Sequence, residues 1–141
     1  MSQAPSGGLT IRGHILGKDG IFASALIAEM ISVTRHTIPE LLTEIQGQYG
    51  RAVMAEFDTK FSEEVKRDLQ TLLFEHKKLP EFDIPVEMVN YLDGCKVYFQ
   101  NGGWIIVRFS GTEPLLRIFC EMQDELEAER ITMVMRRFLG L

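Results

Sequence analysis

Several residue types are scarce in this chain of 141 residues, and each scarcity excludes a class of protein. Cysteine occurs only at Cys95 and Cys120, without C-x-x-C spacing, so neither a disulfide framework nor a zinc site is expected. Both lie in apolar runs, which predicts buried, reduced thiols. Basic residues are outnumbered, giving a net charge of −5, and nucleic-acid-binding faces are usually basic. A nucleic-acid partner is therefore not expected.

Long apolar runs are also missing. The longest apolar stretch, Ile21 to Val33, is interrupted by polar residues and is too short to span a membrane, so no membrane partner is expected. The first residues lack a basic segment followed by a long apolar one, which argues against a signal peptide. The expected location is the cytoplasm.

Potential metal ligands are present but scattered. A hard cation needs several oxygen ligands close together, as in an Asp-x-Asp-x-Asp loop. Four of the six aspartates, Asp58, Asp68, Asp83 and Asp93, are scattered singly, and the three histidines, His14, His36 and His76, are widely separated. No metal ligand is assigned, and no catalytic residue is assigned either.

What the chain does contain is an ordinary globular composition with two kinds of periodicity. Apolar residues make up 45% and charged residues 25% of the chain, which is enough to build a core. Residues 1–49 show two helical segments, 21–31 and one that follows Thr37 and is ended by Gly47 and Gly50. The apolar residues of the first cover most of its circumference, which is typical of a helix buried on several sides.

Residues 50–141 predict a complete small domain. Strands are expected at 51–57, 86–92, 96–100, 104–109 and 115–122, and helices at about 62–78 and 124–139. Asp93-Gly94 and Asn101-Gly102-Gly103 are strong hairpin-turn signals. Val65 and Leu126 are among the residues predicted to face the core. The pattern indicates an α+β fold, a small antiparallel sheet with helices packed on one face.

One motif in this domain groups donors that suit an oxyanion. The run Arg108-Phe109-Ser110-Gly111-Thr112-Glu113-Pro114, with Arg117 beyond it, follows an apolar strand. Glycine lets the backbone approach a ligand closely, hydroxyls donate hydrogen bonds, and arginines match the geometry of a phosphate. An ordinary Ser/Gly/Pro turn with two solvated arginines is the alternative, and the residues alone do not separate the two interpretations.

The string RFSGTEPLLRIFCE, preceded by DGCKVYFQNGGWIIV, resembles the phosphate-binding loop and flanking strands of the last domain of the α-D-phosphohexomutases. Upstream, SGGLTIRGHILGKDGIFASALIAEMI resembles the end of that family's third domain. The resemblance implies a TATA-binding-protein-like C-terminal domain at 50–141, preceded at 1–49 by a helical remnant of the third domain. It also implies that Arg108, Ser110, Gly111 and Thr112 bind phosphate, with Arg117 beside them.

The family's mechanism is transfer of a phosphoryl group within a phosphohexose by way of a phosphoserine. The resemblance places that serine and a magnesium loop in domains outside these 141 residues. The chain alone is therefore expected to be inactive and to hold the non-reacting phosphate, while Mg²⁺ and a hexose 1,6-bisphosphate activator are implied for the full-length enzyme. Expected partners are the phosphohexose, the missing N-terminal domains and a second chain, through the exposed helix at 19–33.

Other parts of the sequence are less informative. His14 and Lys18 lie in the segment that resembles the third domain and are candidate phosphosugar contacts; the alternative is a solvated Lys18 and an Asp19 that caps the next helix. Ser6-Gly7-Gly8 match the end of the family's sugar-selecting loop, but its glutamate is missing, which is consistent with an origin of residues 1–5 outside the native protein. Trp104 is predicted to be a core residue rather than a sugar platform. A stand-alone anion-binding or interaction module is the alternative function.

Overall fold

The structure, a computed structural model, describes residues 2–3, 9–111 and 113–141. It divides into an N-terminal unit, Met1–Gln48, and a C-terminal unit, Tyr49–Leu141. The assignment of residues 1–49 to the end of a third domain stays a prediction.

The N-terminal unit consists mainly of two helices. The short strands β1 (Ser2–Gln3) and β2 (Leu9–Thr10) pair antiparallel, and α1 (Gly20–Thr34) follows. Asp19 caps α1 by accepting a hydrogen bond of 3.0 Å from the N–H of Phe22. No residue of α1 is buried, although its apolar circumference is typical of a helix buried on several sides, and this agrees with the exposed helix expected at 19–33. An apolar circumference permits burial, but only a packed neighbour produces it.

The second helix, α2 (Ile38–Tyr49), is longer than expected. Glu40 accepts hydrogen bonds from the backbone N–H and the hydroxyl of Thr37, at 2.7 and 2.8 Å, which fixes the first turn. Gly47 lies inside the helix and does not end it; Gly50, with a φ of +87°, follows the last turn. A glycine inside a helix weakens it without stopping it.

The C-terminal unit is built on a five-stranded antiparallel sheet. Its strands are β3 (Val53–Lys60), β4 (Val86–Asn90), β5 (Cys95–Phe99), β6 (Trp104–Phe109) and β7 (Leu115–Met122). They are arranged in the order β3-β7-β6-β5-β4. The bounds predicted for β6 and β7 are confirmed, whereas the first strand begins two residues later and ends three residues later than predicted. The α+β fold is therefore confirmed.

Two helices supply the other half of the core. They are α3 (Glu63–Gln70), which continues as a π-helical turn over Thr71–Glu75, and α4 (Glu125–Phe138). The core joins residues of both helices with alternate residues of the strands: Leu69, Leu73, Cys95, Val97, Phe99, Ile105, Val107, Leu116, Ile118, Cys120, Met122, Ala128, Ile131, Met135 and Leu139. Helix burial thus occurs on one face of the sheet, as predicted. The face opposite this core is called the outer face below.

Two residues predicted to face the core are exposed. Leu126 is 75% exposed, because it lies about 180° around α4 from the buried Met135. Val65, in the first turn of α3, is 38% exposed. Among the described residues, no single helix is long and apolar enough to cross a membrane; α1 and α2 together meet those criteria of length and composition but are bent by 84°.

Candidate functional site

The sheet brings the two predicted phosphate-binding arginines directly opposite each other. Arg108, near the end of β6, pairs in register with Arg117 on β7, and side chains at paired positions share a face. Alternation places both on the outer face, because their neighbours Val107 and Ile118 are buried on the core side. Like charges at facing positions repel each other, so this arrangement needs counter-charges or a bound anion.

The counter-charges come from three carboxylates. Asp93, in the turn before β5, lies 2.9 Å from Arg108, while Asp58 on β3 and Glu113 in the loop each lie 3.7 Å from Arg117. A charged row therefore crosses the sheet from Asp58 through the two arginines to Asp93. The two guanidinium groups face three carboxylates, so the surroundings carry no excess of positive charge, and an anion must be held by directed donors.

Such donors are present. The Nε atoms of Arg108 and Arg117 are both buried, and neither has a hydrogen-bond acceptor among the residues that the structure describes. The ion pair from Arg117 Nε to Asp58 is too long to be a hydrogen bond. Because the surrounding protein covers these Nε atoms, an anion would be bound by the exposed nitrogens of the two guanidinium groups. The remaining guanidinium surface is accessible, since the two side chains are 41% and 34% exposed.

The loop between β6 and β7 begins at Ser110, two residues after Arg108. Its root is fixed by a hydrogen bond of 2.8 Å from the N–H of Ser110 to the carbonyl of Leu115. Gly111 is exposed, and a Cβ built on it would meet no atom within 4 Å. Protein packing therefore does not require glycine there, and the space is open to a ligand. Thr112 lies outside the described residues, so its predicted role stays a prediction.

The turn before β5 holds Arg108 in place. Gly94 has a φ of +102°, and a Cβ at this position would lie 2.8 Å from the Cβ of Arg108 and 2.5 Å from the carbonyl oxygen of Val107. Only glycine allows this approach. Asp93, the preceding residue, then reaches the Arg108 guanidinium. The sequence predicts a hairpin turn at Asp93-Gly94 but does not predict this role. Counting residues outward from the turn at 101–103 does place Gly94 opposite Arg108.

The outer face continues from Arg108 toward Trp104. A depression of about 250 Å³ beside the Arg108–Asp93 ion pair is lined by Asn90, Leu92, Asp93, Lys96, Tyr98 and Ile106. Trp104 lies on this face rather than in the core, so the prediction of a core tryptophan is wrong. Its indole N–H donates to Glu121 at 3.0 Å, and the Lys96 ammonium lies 3.8 Å from the ring centroid. These polar partners explain why a large aromatic residue is stable outside the core.

His14 and Lys18 belong to the N-terminal unit, whereas the 110–114 loop belongs to the C-terminal unit. His14 stacks on Phe22 at 4.0 Å and lies 2.8 Å from Asp19. Hydrogen bonds from His14 and from the Phe22 N–H hold the pKa of Asp19 below its ordinary value. The structure agrees with the alternative interpretation, in which Asp19 caps α1 and Lys18 is exposed, while a phosphosugar contact by either residue stays a prediction.

Neither thiol is suited to nucleophilic chemistry. Cys95 and Cys120 are free and buried, as predicted. Burial raises their pKa values to about 11 and about 12, which keeps them protonated at neutral pH. Among the described residues, no group of three or more His, Cys, Asp or Glu side chains could hold a metal ion.

Known proteins share this sequence and fold. A family model described as "Phosphoglucomutase/phosphomannomutase, C-terminal domain" matches residues 64–137. A phosphoglucomutase/phosphomannomutase of Thermococcus kodakarensis is 32% identical over 123 residues, which cover 87% of this chain and 25% of that protein. A probable phosphoglucosamine mutase of Pyrococcus furiosus is 31% identical over 140 residues, or 97% of this chain and 28% of that protein.

The fold comparison agrees. A crystal structure of a phosphoglucomutase/phosphomannomutase family protein from Burkholderia thailandensis aligns with 94% of this chain and 26% of its own chain, with a TM-score of 0.59 and 22% identity. This chain thus spans about a quarter of the length of the relatives it matches.

Proposed function

Because this chain belongs to the phosphoglucomutase/phosphomannomutase family and matches its C-terminal domain, we propose that the 110–114 loop, with Arg108 and Arg117, binds the phosphate of a phosphohexose. The observation that carries the proposal is the pair of arginines at facing positions on the outer face, with side chains that are 41% and 34% exposed. A phosphate dianion between them would accept from both and would offset their mutual repulsion. Ser110, Gly111 and Thr112 would complete the cradle.

The bound phosphate would be the one that does not react. In the full-length enzyme, a phosphoserine on another domain would transfer its phosphoryl group to the opposite end of the sugar. Holding the distant phosphate converts binding energy into orientation of the reacting oxygen. The carboxylates have a part in this, since Asp93 and Asp58 hold the guanidinium groups at their positions before the substrate arrives.

The described residues do not fit the magnesium ion implied for the family, because no group of acidic side chains is arranged to coordinate it. We therefore propose that Mg²⁺ and the bisphosphate activator act at domains outside this chain. The chain alone would bind phosphate without turning over a phosphohexose.

An amide chemical-shift titration tests the proposal. Glucose 1-phosphate and inorganic phosphate should each produce saturable shifts at Arg108, Ser110 and Gly111, whereas glucose should produce none. Shifts that are absent at millimolar phosphate, or that glucose reproduces, would overturn the claim that this chain binds phosphate.

Two variants sharpen the test. Arg117→Gln should weaken phosphate binding about tenfold, which corresponds to one charge-assisted hydrogen bond at a partly exposed site. The matched control is Arg137→Gln, because Arg137 is exposed on α4 and its guanidinium contacts the sulfur of Met133. It should bind phosphate as the wild type does. Equal loss in both variants would mean that the effect comes from total charge and not from the site.

A further inference from the structure

Both ends of the phosphate loop are attached to a single residue outside it. Phe61 follows β3, and its backbone N–H donates to the carbonyl of Pro114, at the far end of the loop, at 3.4 Å. Its ring packs edge-to-face on Phe109, at the near end of the loop, with centroids 5.4 Å apart and an interplanar angle of 87°. Phe61 therefore contacts the near end of the loop through its ring and the far end through its backbone N–H.

A second aromatic ring also contacts Phe109. Phe74 lies 6.2 Å from it, centroid to centroid, and also packs on Tyr91 at 6.1 Å. Phe74 belongs to the π-helical turn of Thr71–Glu75, a rare backbone form that frequently occurs at functional sites. Phe109 thus contacts two rings contributed by different parts of the chain.

Because side chains alternate along a strand, the contacts of the Phe109 ring affect the phosphate site on the other face. Phe109 stands between Arg108 and Ser110 in the chain and points to the core side, while Arg108 points to the outer face. Fixing the Phe109 ring therefore fixes the backbone from which the Arg108 side chain and the Ser110 N–H project. A loop that is ordered before binding loses less conformational entropy when the ligand binds.

We propose that Phe61 is a positioning residue for the phosphate loop: it sets phosphate affinity by clamping both loop ends through Phe109 and Pro114. It acts through these residues and not on the ligand. The proposal rests on the proposed phosphate binding described above.

The test compares two phenylalanines of similar environment. Phe61→Leu removes the edge-to-face contact at the loop, whereas Phe82→Leu removes an equivalent contact with Phe99, at 5.0 Å and 80°. Phe99 lies at the other end of the sheet, near Trp104. Both rings pack against the same core, so both variants should lose stability. Phosphate affinity is the readout that should separate them.

Phosphate dissociation constants would be measured from amide shifts at a temperature where both variants are folded. We expect Phe61→Leu to bind inorganic phosphate about tenfold more weakly than the wild type, the order expected when a loop must be ordered on binding. Phe82→Leu should change the constant less than twofold, and Phe61→Tyr, which keeps the ring, should retain most of the affinity. Folded Phe61→Leu with wild-type affinity would overturn the proposal, as would equal weakening in Phe82→Leu.

If Phe61→Leu does not fold, Phe109→Leu gives a second test, because it removes the ring that Phe61 contacts and leaves the Phe61 N–H in place. Weakened phosphate binding supports the clamp, and unchanged binding overturns it. A wild-type chain that binds no phosphate contradicts the proposed function instead, so the two failures are distinguishable.

Discussion

In the C-terminal unit, α4 buries Ala128, Ile131, Thr132 and Met135, although six of its 14 residues are charged, whereas α1 in the N-terminal unit has one charged residue in 15 and buries none. The more charged helix is therefore the buried one, and the more apolar helix is exposed. The difference lies in the neighbour, because α4 packs against β3 and β7 of the sheet. Apolar content therefore measures the capacity of a helix to be buried, while burial itself depends on a complementary face.

Deleting apolar atoms should have very different effects on stability in the two units. Ile118→Ala removes part of a fully buried side chain from β7 and should lower the free energy of unfolding by about 2–5 kcal/mol. Ile27→Ala in α1, where Ile27 is 47% exposed, should change it by less than about 0.5 kcal/mol. Urea unfolding followed by circular dichroism reports both units, and Trp104 fluorescence reports the C-terminal unit. An equal cost for Ile27→Ala would show that α1 is packed after all.

A smaller effect tests whether close packing in the C-terminal unit also positions the site. Gly94→Ala should lower stability by about 2–3 kcal/mol, because the positive φ is unfavourable for alanine and the added Cβ meets Arg108. Gly102→Ala is the control: its φ is +86°, but a Cβ there meets nothing within 4 Å. It should lose about 1–2 kcal/mol from the backbone conformation alone. Only Gly94→Ala should also weaken phosphate binding, and equal binding by the two variants would contradict the role assigned to Gly94.

The smallest effect should come from surface ion pairs, which occur in both units and should not distinguish them. In the C-terminal unit, a hydrogen bond from Arg130 lowers the pKa of Asp83. A lowered carboxyl pKa stabilises the fold above the unfolded value of about 3.9, and this contribution is lost as the pH falls through the lowered folded value. The small stability difference between wild type and Arg130→Gln should therefore narrow in acid, which urea unfolding at several pH values would measure. A difference that grows in acid would contradict this assignment.

The sequence predicted the C-terminal unit better than the N-terminal one, for a local reason. The bounds of β6 and β7 follow from apolar runs ended by Asn101-Gly102-Gly103 and by the Ser110–Pro114 loop, and both signals lie within a few residues. The prediction of a core Trp104 is wrong because the residues that stabilise it outside the core, Lys96 and Glu121, lie on two other strands. Sequence spacing does not carry that information.

The grouping of arginines, hydroxyls and a glycine within the 108–117 segment is local, so it can be read directly from the sequence. The sequence also determined the α+β fold, through periodicity and turn residues. Tertiary structure alone decided that the arginines face each other with Asp58 and Asp93 at their flanks, and that Phe61 attaches to both loop ends. These relations join residues up to 59 positions apart, from Asp58 to Arg117, and they depend on strand register, which fixes distances that local propensity does not encode.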